Sequence, residues 1–435
     1  MWRRSISGAI VLACSMLFTV SFLWAGEGNR PLSLDESIKL AIERSVILDS
    51  AKEGIKAAEA NKKGAFTGFL PKLSTSYSYT RLDEAPSMLG IQTGVRDNYT
   101  WQMNVTQPVF AGGKILANYR INSMGTEIAR FEEKATVQNI SLEVKIAYFN
   151  ILKAERILQV ARQSVEQLRA HRDIAQSFFD VGIIPKNDLL YAEVELANGA
   201  QDLVRAENSL QLAKARFNKA LRQDIDKAVS VVDILMYEPF DLELSDCFSR
   251  AFDNRPEISI VSLQELQAEE LVKAAEGDYY PSVNMVANYS RYGDDPGVSG
   301  TPYRDEDEWY LMAVAQWNFW EWGRTKYSVD AGKSKKRQAM NALIDIKDGV
   351  SLDVKNAYLN LREAEKRISV TKKAIEQAEE NYRINVERYK EQVATSTDVL
   401  DAQTLLTKTR SDYYNGLSDY NIAKAVLERS MGVIY

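Results

Sequence analysis

The sequence predicts a mostly α-helical protein made of two tandem repeats, each joining a β-hairpin to a long coiled-coil hairpin of helices. Three observations predict this fold class. Residues 126–180 contain neither glycine nor proline, and their apolar residues recur at alternating steps of three and four. The pattern of residues 147–155 returns at residues 357–365, at an offset of 210. After Pro71 and again after Pro281, the apolar period changes from helical to two.

The N-terminal segment has the order of a secretory signal peptide. Arg3 and Arg4 precede an apolar run that ends at Ala25, before a polar stretch. We expect residues 1–25 to be removed on export, and the loss of two positive charges takes the net charge from −6 to −8. The apolar run is long, so an uncleaved anchor is an alternative, and Cys14 leaves a lipoprotein open as well. The acidic balance argues against nucleic acid as a partner.

The sequence offers little to a metal ion or a cofactor. With Cys14 in the predicted signal, Cys247 is the one remaining cysteine, and His171 is the one histidine. One histidine and one cysteine cannot build the usual zinc site. As a nucleophile and its base, they would need further residues to activate them. We therefore expect no cofactor and no metal. His171 lies mid-helix in a charged context, and we expect it on the solvated surface.

The first repeat, residues 26–222, opens with a helix and continues with a β-hairpin. Ser33 and Glu36 have the spacing of a capping box, and the helix is expected to run to about Ala65. Alternation of apolar and polar residues predicts a hairpin at about residues 72–110. Strands of about ten residues are long enough to cross a bilayer when tilted. The alternative is a soluble hairpin with one face on a core. Either way, four strands leave open edges, which points to an oligomer.

A long helical hairpin follows each pair of strands. Gly112 and Gly113 form a strand-to-helix turn, and a helix beginning near Lys114 would extend roughly 100 Å. It reverses at a first tip, residues 181–187. An irregular linker at residues 223–241 leads to the second repeat, residues 242–435. That repeat has a hairpin at about residues 282–320, a second long helix and a second tip at residues 391–397. The glycine turns lack a Walker pattern, which argues against a phosphate site.

These features, in this order, resemble the TolC family of outer-membrane efflux proteins. The resemblance is carried by the paired Leu-x-Leu openings, the two Pro-to-strand transitions, the Gln-Pro-Val-Phe-x-Gly-Gly and Phe-x-x-x-Gly-Arg exits, and the two tips. It implies a homotrimer in the outer membrane of a Gram-negative bacterium. Three sets of four strands would form one 12-stranded β-barrel, and the helices would form a trimeric α-barrel in the periplasm. On this resemblance, we expect the strands to span the membrane, in place of the soluble hairpin.

The resemblance also implies partners and functional residues at the tips. The implied partners are a periplasmic adaptor (membrane fusion protein), an inner-membrane transporter of the RND, ABC or MFS type, and outer-membrane lipid. The family pattern places adaptor docking at Val181, Gly182, Ile183, Ile184, Pro185, Gln392, Val393, Ala394 and Thr395. It places the channel entrance at Asp398, Asp401, Asp188 and Tyr389. Gln392 stands where the family often has glycine, and Ala394 where some members have an arginine that ties the closed entrance. The resting state, open or closed, is therefore not implied.

The function implied is an exit duct for efflux or type I secretion, without catalysis. One alternative is a periplasmic adaptor or coiled-coil spacer, although adaptors lack aromatic-flanked hairpins before their long helices. Another is an enzyme that uses Asp398 and Asp401 as an acid pair, but no nucleophile or histidine accompanies them. Both aspartates also suit plain helix capping, because carboxylates are favoured in a first turn. Drugs, metals, proteins and polysaccharides all fit a polar duct, so the substrate stays open.

Overall fold

The computed structural model describes residues 30–433 of the 435-residue chain. The predicted signal peptide and Cys14 lie outside the described residues. In chain order the elements are α1 (Leu34–Glu43), α2 (Val46–Phe66), β1 (Lys72–Arg81), β2 (Ser87–Met88), β3 (Ile91–Gln92), β4 (Asp97–Ala111), α3 (Lys114–Asp180), α4 (Lys186–Ala220), α5 (Leu244–Asn254), α6 (Pro256–Glu276), β5 (Ser282–Gly293), β6 (Asp307–Gln316), α7 (Arg324–Lys390) and α8 (Ser396–Ser430).

The two repeats have the same helices at a constant offset. The long helices α3 and α7 both have 67 residues, and the return helices α4 and α8 both have 35. Each long helix begins 210 residues from its counterpart, directly after Gly113 or Gly323. Both glycines have a left-handed backbone, with φ of 82° and 83°, which glycine adopts at little cost. The predicted tandem repeat and long helices are confirmed.

The opening helix is interrupted, which the sequence prediction missed. The expected single helix to about Ala65 is two helices, because Ser45 starts a new one. Its side chain accepts a hydrogen bond from the Leu48 amide at 3.1 Å, as an N-cap serine does. In the second repeat, Pro256 occupies the first helical position of α6. Its ring fixes the backbone for a helix start.

The four main strands form one antiparallel sheet in the order β1-β4-β5-β6. The second hairpin is shorter than predicted, because β6 ends at Gln316 instead of residue 320. β4 has 15 residues and carries a register shift between Pro108 and Phe110. Proline cannot donate a ladder hydrogen bond, so an irregularity is expected there. The first hairpin's loop contains a further small hairpin, β2–β3, that the sequence did not predict. β1 and β6 are left as the sheet's open edges.

The long helices lie side by side in the order α4-α3-α8-α7. Their contacts bury the predicted heptad positions, including Ile151, Leu158 and Val165 of α3, and Leu361 and Ile368 of α7. Close neighbours at three-four spacing are the mark of coiled-coil packing. The shorter helices lie on this layer nearer the sheet, where α2 contacts α3 and α6 contacts both α3 and α7. Both hairpin tips therefore lie at the end far from the sheet.

The linker between the repeats is fastened to the middle of the long helices. The buried Tyr148 hydroxyl donates its one proton to the carbonyl of Val232 at 2.7 Å, and the carbonyl of Leu32 lies within sharing distance at 3.1 Å. The Tyr420 hydroxyl donates to the carbonyl of Glu238 at 2.5 Å. The Leu32 carbonyl also accepts from the Val232 amide at 3.0 Å. The bonds to Val232 and Glu238 supply donors to linker carbonyls in irregular chain. Among residues 30–433, every helix falls short of the length and apolar character needed to cross a membrane.

Candidate functional site

The first tip is a tight helix reversal whose geometry requires a left-handed residue. Gly182 has φ of 79°, its amide donates to Phe179 O at 2.9 Å, and the Ile183 amide donates to Phe178 O at 2.8 Å. This is the hydrogen-bond pattern with which glycine ends many helices. A Cβ atom at Gly182 would meet nothing within 4 Å. Only backbone strain, and no collision within the chain, would oppose a larger residue there.

The second tip makes the same turn without glycine. Gln392 has φ of 62°, and its amide donates to Tyr389 O at 3.0 Å, while the Val393 amide donates to Arg388 O at 2.9 Å. A glutamine in this region of the backbone is uncommon and mildly strained. The departure from glycine noted in the sequence thus leaves the turn unchanged. The two tips are matched in shape and differ in their side chains.

The tips present apolar side chains to solvent. Val181, Ile183 and Val393 are 69%, 44% and 62% exposed. Ile184 differs, because it packs against the small core of Ala175, Leu189 and Ala192. Among the other predicted docking residues, Gly182, Pro185, Gln392 and Thr395 are exposed and Ala394 is half-buried. Exposed aliphatic residues at the end of a rigid hairpin suit contact with another protein.

Asp398 is engaged in a capping box at the start of α8. Its Oδ2 accepts hydrogen bonds from the Thr395 amide and hydroxyl, both at 2.8 Å, and the Asp398 amide donates to Thr395 Oγ1 at 3.2 Å. The bond from the Thr395 backbone, followed by that from its side chain, lowers the pKa of Asp398 below its usual 3.8. Within one protomer Asp398 is therefore a capping residue that keeps its charge. Asp401, one turn later, is exposed.

Tyr389 lies inside the protomer, although its predicted role was at the aperture. It is 3% exposed, with its ring against those of His171 and Phe178, at 4.9 and 5.5 Å. Within the described residues its hydroxyl has no hydrogen-bond partner. Burial, and then the charge of Asp188, raise its pKa above 10. Asp188 and Tyr389 are thus neighbours, but Tyr389 supports the tip from within.

His171 is buried, so the expectation of a solvated surface residue is wrong. It is 5% exposed, and its Nε2 lies 2.8 Å from Ser396 Oγ, across the contact between the two repeats. Burial lowers its pKa from 6.5 to about 4. The sequence held a signal for this, because His171 continues the three-four spacing between Leu168 and Ala175. The four predicted entrance residues and the two tips lie around this contact between α3 and the start of α8.

The groups around the tips are carboxylates, exposed aliphatic side chains and the buried His171–Ser396 contact. Residues 30–433 contain no group of three His, Cys, Asp or Glu side chains placed to hold a metal ion. The one free cysteine among them, Cys247, is buried, and burial raises the pKa of its thiol, which makes it a poor nucleophile. What the tips offer is exposed carboxylate charge, exposed aliphatic surface and a buried tie between two helical hairpins.

Comparison with known sequences decides the family. The profile described as outer membrane efflux protein matches residues 37–221 and 247–433, one segment in each repeat. The chain belongs to the outer membrane efflux protein family. It is 21% identical over 427 residues to the outer membrane efflux protein BepC of Brucella suis, covering 97% of this chain and 91% of BepC. It is 20% identical over 389 residues to the outer membrane protein TolC of Escherichia coli, covering 82% and 77%.

Solved structures of efflux channels share the whole fold. The CmeC outer membrane channel of Campylobacter jejuni matches with a TM-score of 0.81 at 18% identity, over 99% of this chain and 94% of CmeC. The open state of the MtrE outer membrane channel of Neisseria gonorrhoeae matches with 0.76 at 18% identity, over 92% and 89%. This family member therefore has the α-barrel and β-barrel fold of an outer-membrane efflux channel with its helical part in the periplasm. The adaptor alternative is excluded.

Proposed function

We propose that three copies of this chain assemble into one continuous duct, with a 12-stranded β-barrel above a helical barrel. One observation carries the proposal: both layers end in free edges on the same two sides. The sheet order β1-β4-β5-β6 leaves β1 and β6 unpaired, and the helix order α4-α3-α8-α7 leaves α4 and α7 at the sides. Unpaired strand edges seek partners. Closure of both layers requires the same neighbour.

The side helices carry apolar surface that a neighbouring copy would cover. α4 exposes Leu190, Val194, Val204 and Leu212, and α7 exposes Ile344, Leu352, Leu359 and Val370, each at least 48% exposed. Contiguous exposed apolar surface along a helix marks an interface. Native mass spectrometry of the detergent-extracted protein should give a trimer. A monomer that stays soluble without detergent would refute the assembly.

We infer that the tips dock a periplasmic adaptor, which links the duct to an inner-membrane transporter of the RND, ABC or MFS type for efflux or type I secretion. The exposed Val181, Ile183 and Val393 supply the contact surface. The second tip suggests a sharp test, because Gln392 shows that a glutamine fits this turn. Gly182→Gln should therefore keep the trimer and keep export, whereas Gly182→Trp should keep the trimer and lose export. If cells with Gly182→Trp export normally, docking does not involve Gly182.

We infer further that Asp398 and Asp401 make the entrance prefer cations. Threefold symmetry would place three copies of each carboxylate around one axis, and like charges there attract cations. Because Asp398 also caps α8, an alanine substitution would remove the charge and destabilise the helix at the same time. Asp398→Asn with Asp401→Asn removes the charge and leaves an amide oxygen for the cap. Thr395→Ala is the matched control, since it removes the cap and leaves both charges.

Single-channel recording in planar bilayers separates the two roles. The double asparagine variant should lose cation preference and block by multivalent cations, while its trimer remains as stable as the parent. Thr395→Ala should keep the preference and destabilise the tip by about 1 kcal/mol. If the asparagine variant keeps full cation preference, the two aspartates are caps only and the entrance assignment fails.

A further inference from the structure

Trp322 has a backbone conformation that its side chain disfavours. Its φ is 52°, and its side chain is 84% exposed in the protomer. A bulky residue at positive φ is an outlier that persists only where the surroundings maintain it. The repeat offset of 210 places Gly112 at the corresponding position, with φ of 62°. The same bend is therefore made once with the residue that suits it and once with a tryptophan.

The glycine version of the bend shows what this position contacts. Gly112 lies directly against Gly277, the residue that follows α6. A Cβ atom on Gly277 would lie 2.6 Å from the carbonyl oxygen of Gly112, and a Cβ atom on Gly112 would also collide. Two backbones meet here without side chains. Beside them, Lys114 forms an ion pair with Asp278. The end of β4 is thereby fastened to the end of α6.

In the second repeat, the corresponding pair is Trp322 and Thr67. Thr67 follows α2 as Gly277 follows α6. In the described chain, however, α6 packs on α3 and α7, whereas α2 packs on α3. α2 and α7 are therefore on opposite sides of the protomer. In the first repeat, the end of α6 lies against the turn before α3. If the proposed trimer forms, the equivalent contact in the second repeat joins the turn before α7 to the end of α2 in the next copy. Side chains at both positions exclude the close backbone contact that the two glycines make.

A groove lies beside Thr67. It runs between α2 and α3, has a volume of about 600 Å³, and is lined by Lys62, Phe66, Thr67, Tyr119 and Arg130 among others. Phe66 is 50% exposed, and Lys62 Nζ lies 5.9 Å from the centre of the Tyr119 ring. The rim also carries Lys63, and Glu59, whose carboxylate pairs with Arg130 at 3.6 Å, so Lys62 and Lys63 are its unbalanced charges. Aromatic walls with lysines at the rim suit an indole ring, which packs against rings and attracts cations to its face. We call this site the α2–α3 groove.

We propose that Trp322 of each protomer inserts into the α2–α3 groove of the next and locks the three copies together below the β-barrel. This rests on the proposed trimer. The insertion explains why Trp322 adopts a positive φ and why both Trp322 and Phe66 are exposed in a single chain. The competing occupant of this surface is membrane lipid, since Trp320 and Trp322 form an exposed pair with ring centroids 5.7 Å apart. Aromatic residues are frequent at membrane boundaries.

Disulfide trapping tests the contact directly. In a Cys247→Ala background, Trp322→Cys with Thr67→Cys should give covalent dimers and trimers on non-reducing gels. Trp322→Cys with Lys52→Cys is the matched control and should give none, because Lys52 lies 15 residues away along α2, or roughly 22 Å. If native mass spectrometry shows trimers and the Thr67 pair gives no cross-link, the insertion is refuted. Monomers from the unmodified chain would refute the trimer itself.

A second measurement does not depend on cysteines. Trp322→Gly removes the side chain and also relieves the left-handed strain, so the two effects have opposite signs. If Trp322 is an intersubunit anchor, the temperature at which trimers dissociate should fall for Trp322→Gly. It should stay unchanged for Phe319→Ala, a neighbouring side chain that is 78% exposed. A higher dissociation temperature for Trp322→Gly would show relief of strain without loss of a contact between copies, and it would refute the anchor.

Discussion

Acid should loosen the contact between the two helical hairpins near the tips, through protonation of His171. This side chain links α3 to the start of α8 through Ser396 and is 5% exposed. Burial holds its pKa at about 4, against 6.5 for a solvated histidine. A state in which the hairpins separate and His171 is hydrated therefore binds more protons than the packed state. Neutral His171 favours the packed state fully above pH 6.5. This contribution to the free energy of packing is lost as the pH falls from 6.5 to 4.

The size of the effect follows from the difference between the two pKa values. A difference of about 2.5 units corresponds to about 3 kcal/mol for each protomer at acid pH, as an upper estimate. Other groups close to this contact are Arg172, Asp188, Tyr389 and Asp398. The pKa of Tyr389 is raised above 10 and that of Asp398 is lowered below 3.8. Neither titrates between pH 4 and 6.5, so His171 should dominate there.

The assay compares the parent chain with His171→Gln, which keeps a polar side chain beside Ser396 and cannot titrate in this range. Channel conductance in planar bilayers, and the melting temperature by circular dichroism, are measured from pH 7.5 to 4. We expect the parent channel to open more often and to melt at a lower temperature below pH 6, and the variant to change much less. An identical pH dependence for both proteins would refute the role of His171.

Three further substitutions test how the chain is held together. Gly112→Ala should lower the free energy of unfolding by more than about 1 kcal/mol in thermal melts, because its Cβ atom would collide at positive φ. Tyr148→Phe should cost about 1–2 kcal/mol, measured by urea titration, since the linker carbonyl of Val232 loses its donor. Burial alone would raise the pKa of Glu257, but hydrogen bonds from Arg255 and Arg429 lower it to about 2. The stability that the Glu257 carboxylate adds to the folded state should therefore be lost as the pH falls from 4.5 to 2. In Glu257→Gln, the melting temperature should change less with pH over this range.

The sequence by itself determined the order of the opening helix, β-hairpin, long helix and return helix in each repeat. Helix starts, strands and tips follow from local chemistry: caps such as Ser33, the glycines before α3 and α7, and the change of apolar period after Pro71 and Pro281. These signals act within a few residues, so they are readable without knowing the neighbours. The constant offset of 210 then fixed the tandem architecture. The same reasoning failed at Ser45, where a cap inside an apparently continuous pattern starts a second helix.

Only the tertiary structure decided which side chains are covered. A long helix in a layer has neighbouring helices on both sides. The three-four spacing of its apolar residues therefore does not show which polar residues lie in the contacts between helices. His171 and Ser396 are 225 residues apart, and nothing local to either predicts their bond. Tyr389 is likewise buried by α3, and the carboxylate of Asp398 is engaged by its own cap. Burial and pKa depend on the surfaces that meet after folding, which is why charge and aperture at the tips could not be determined from sequence.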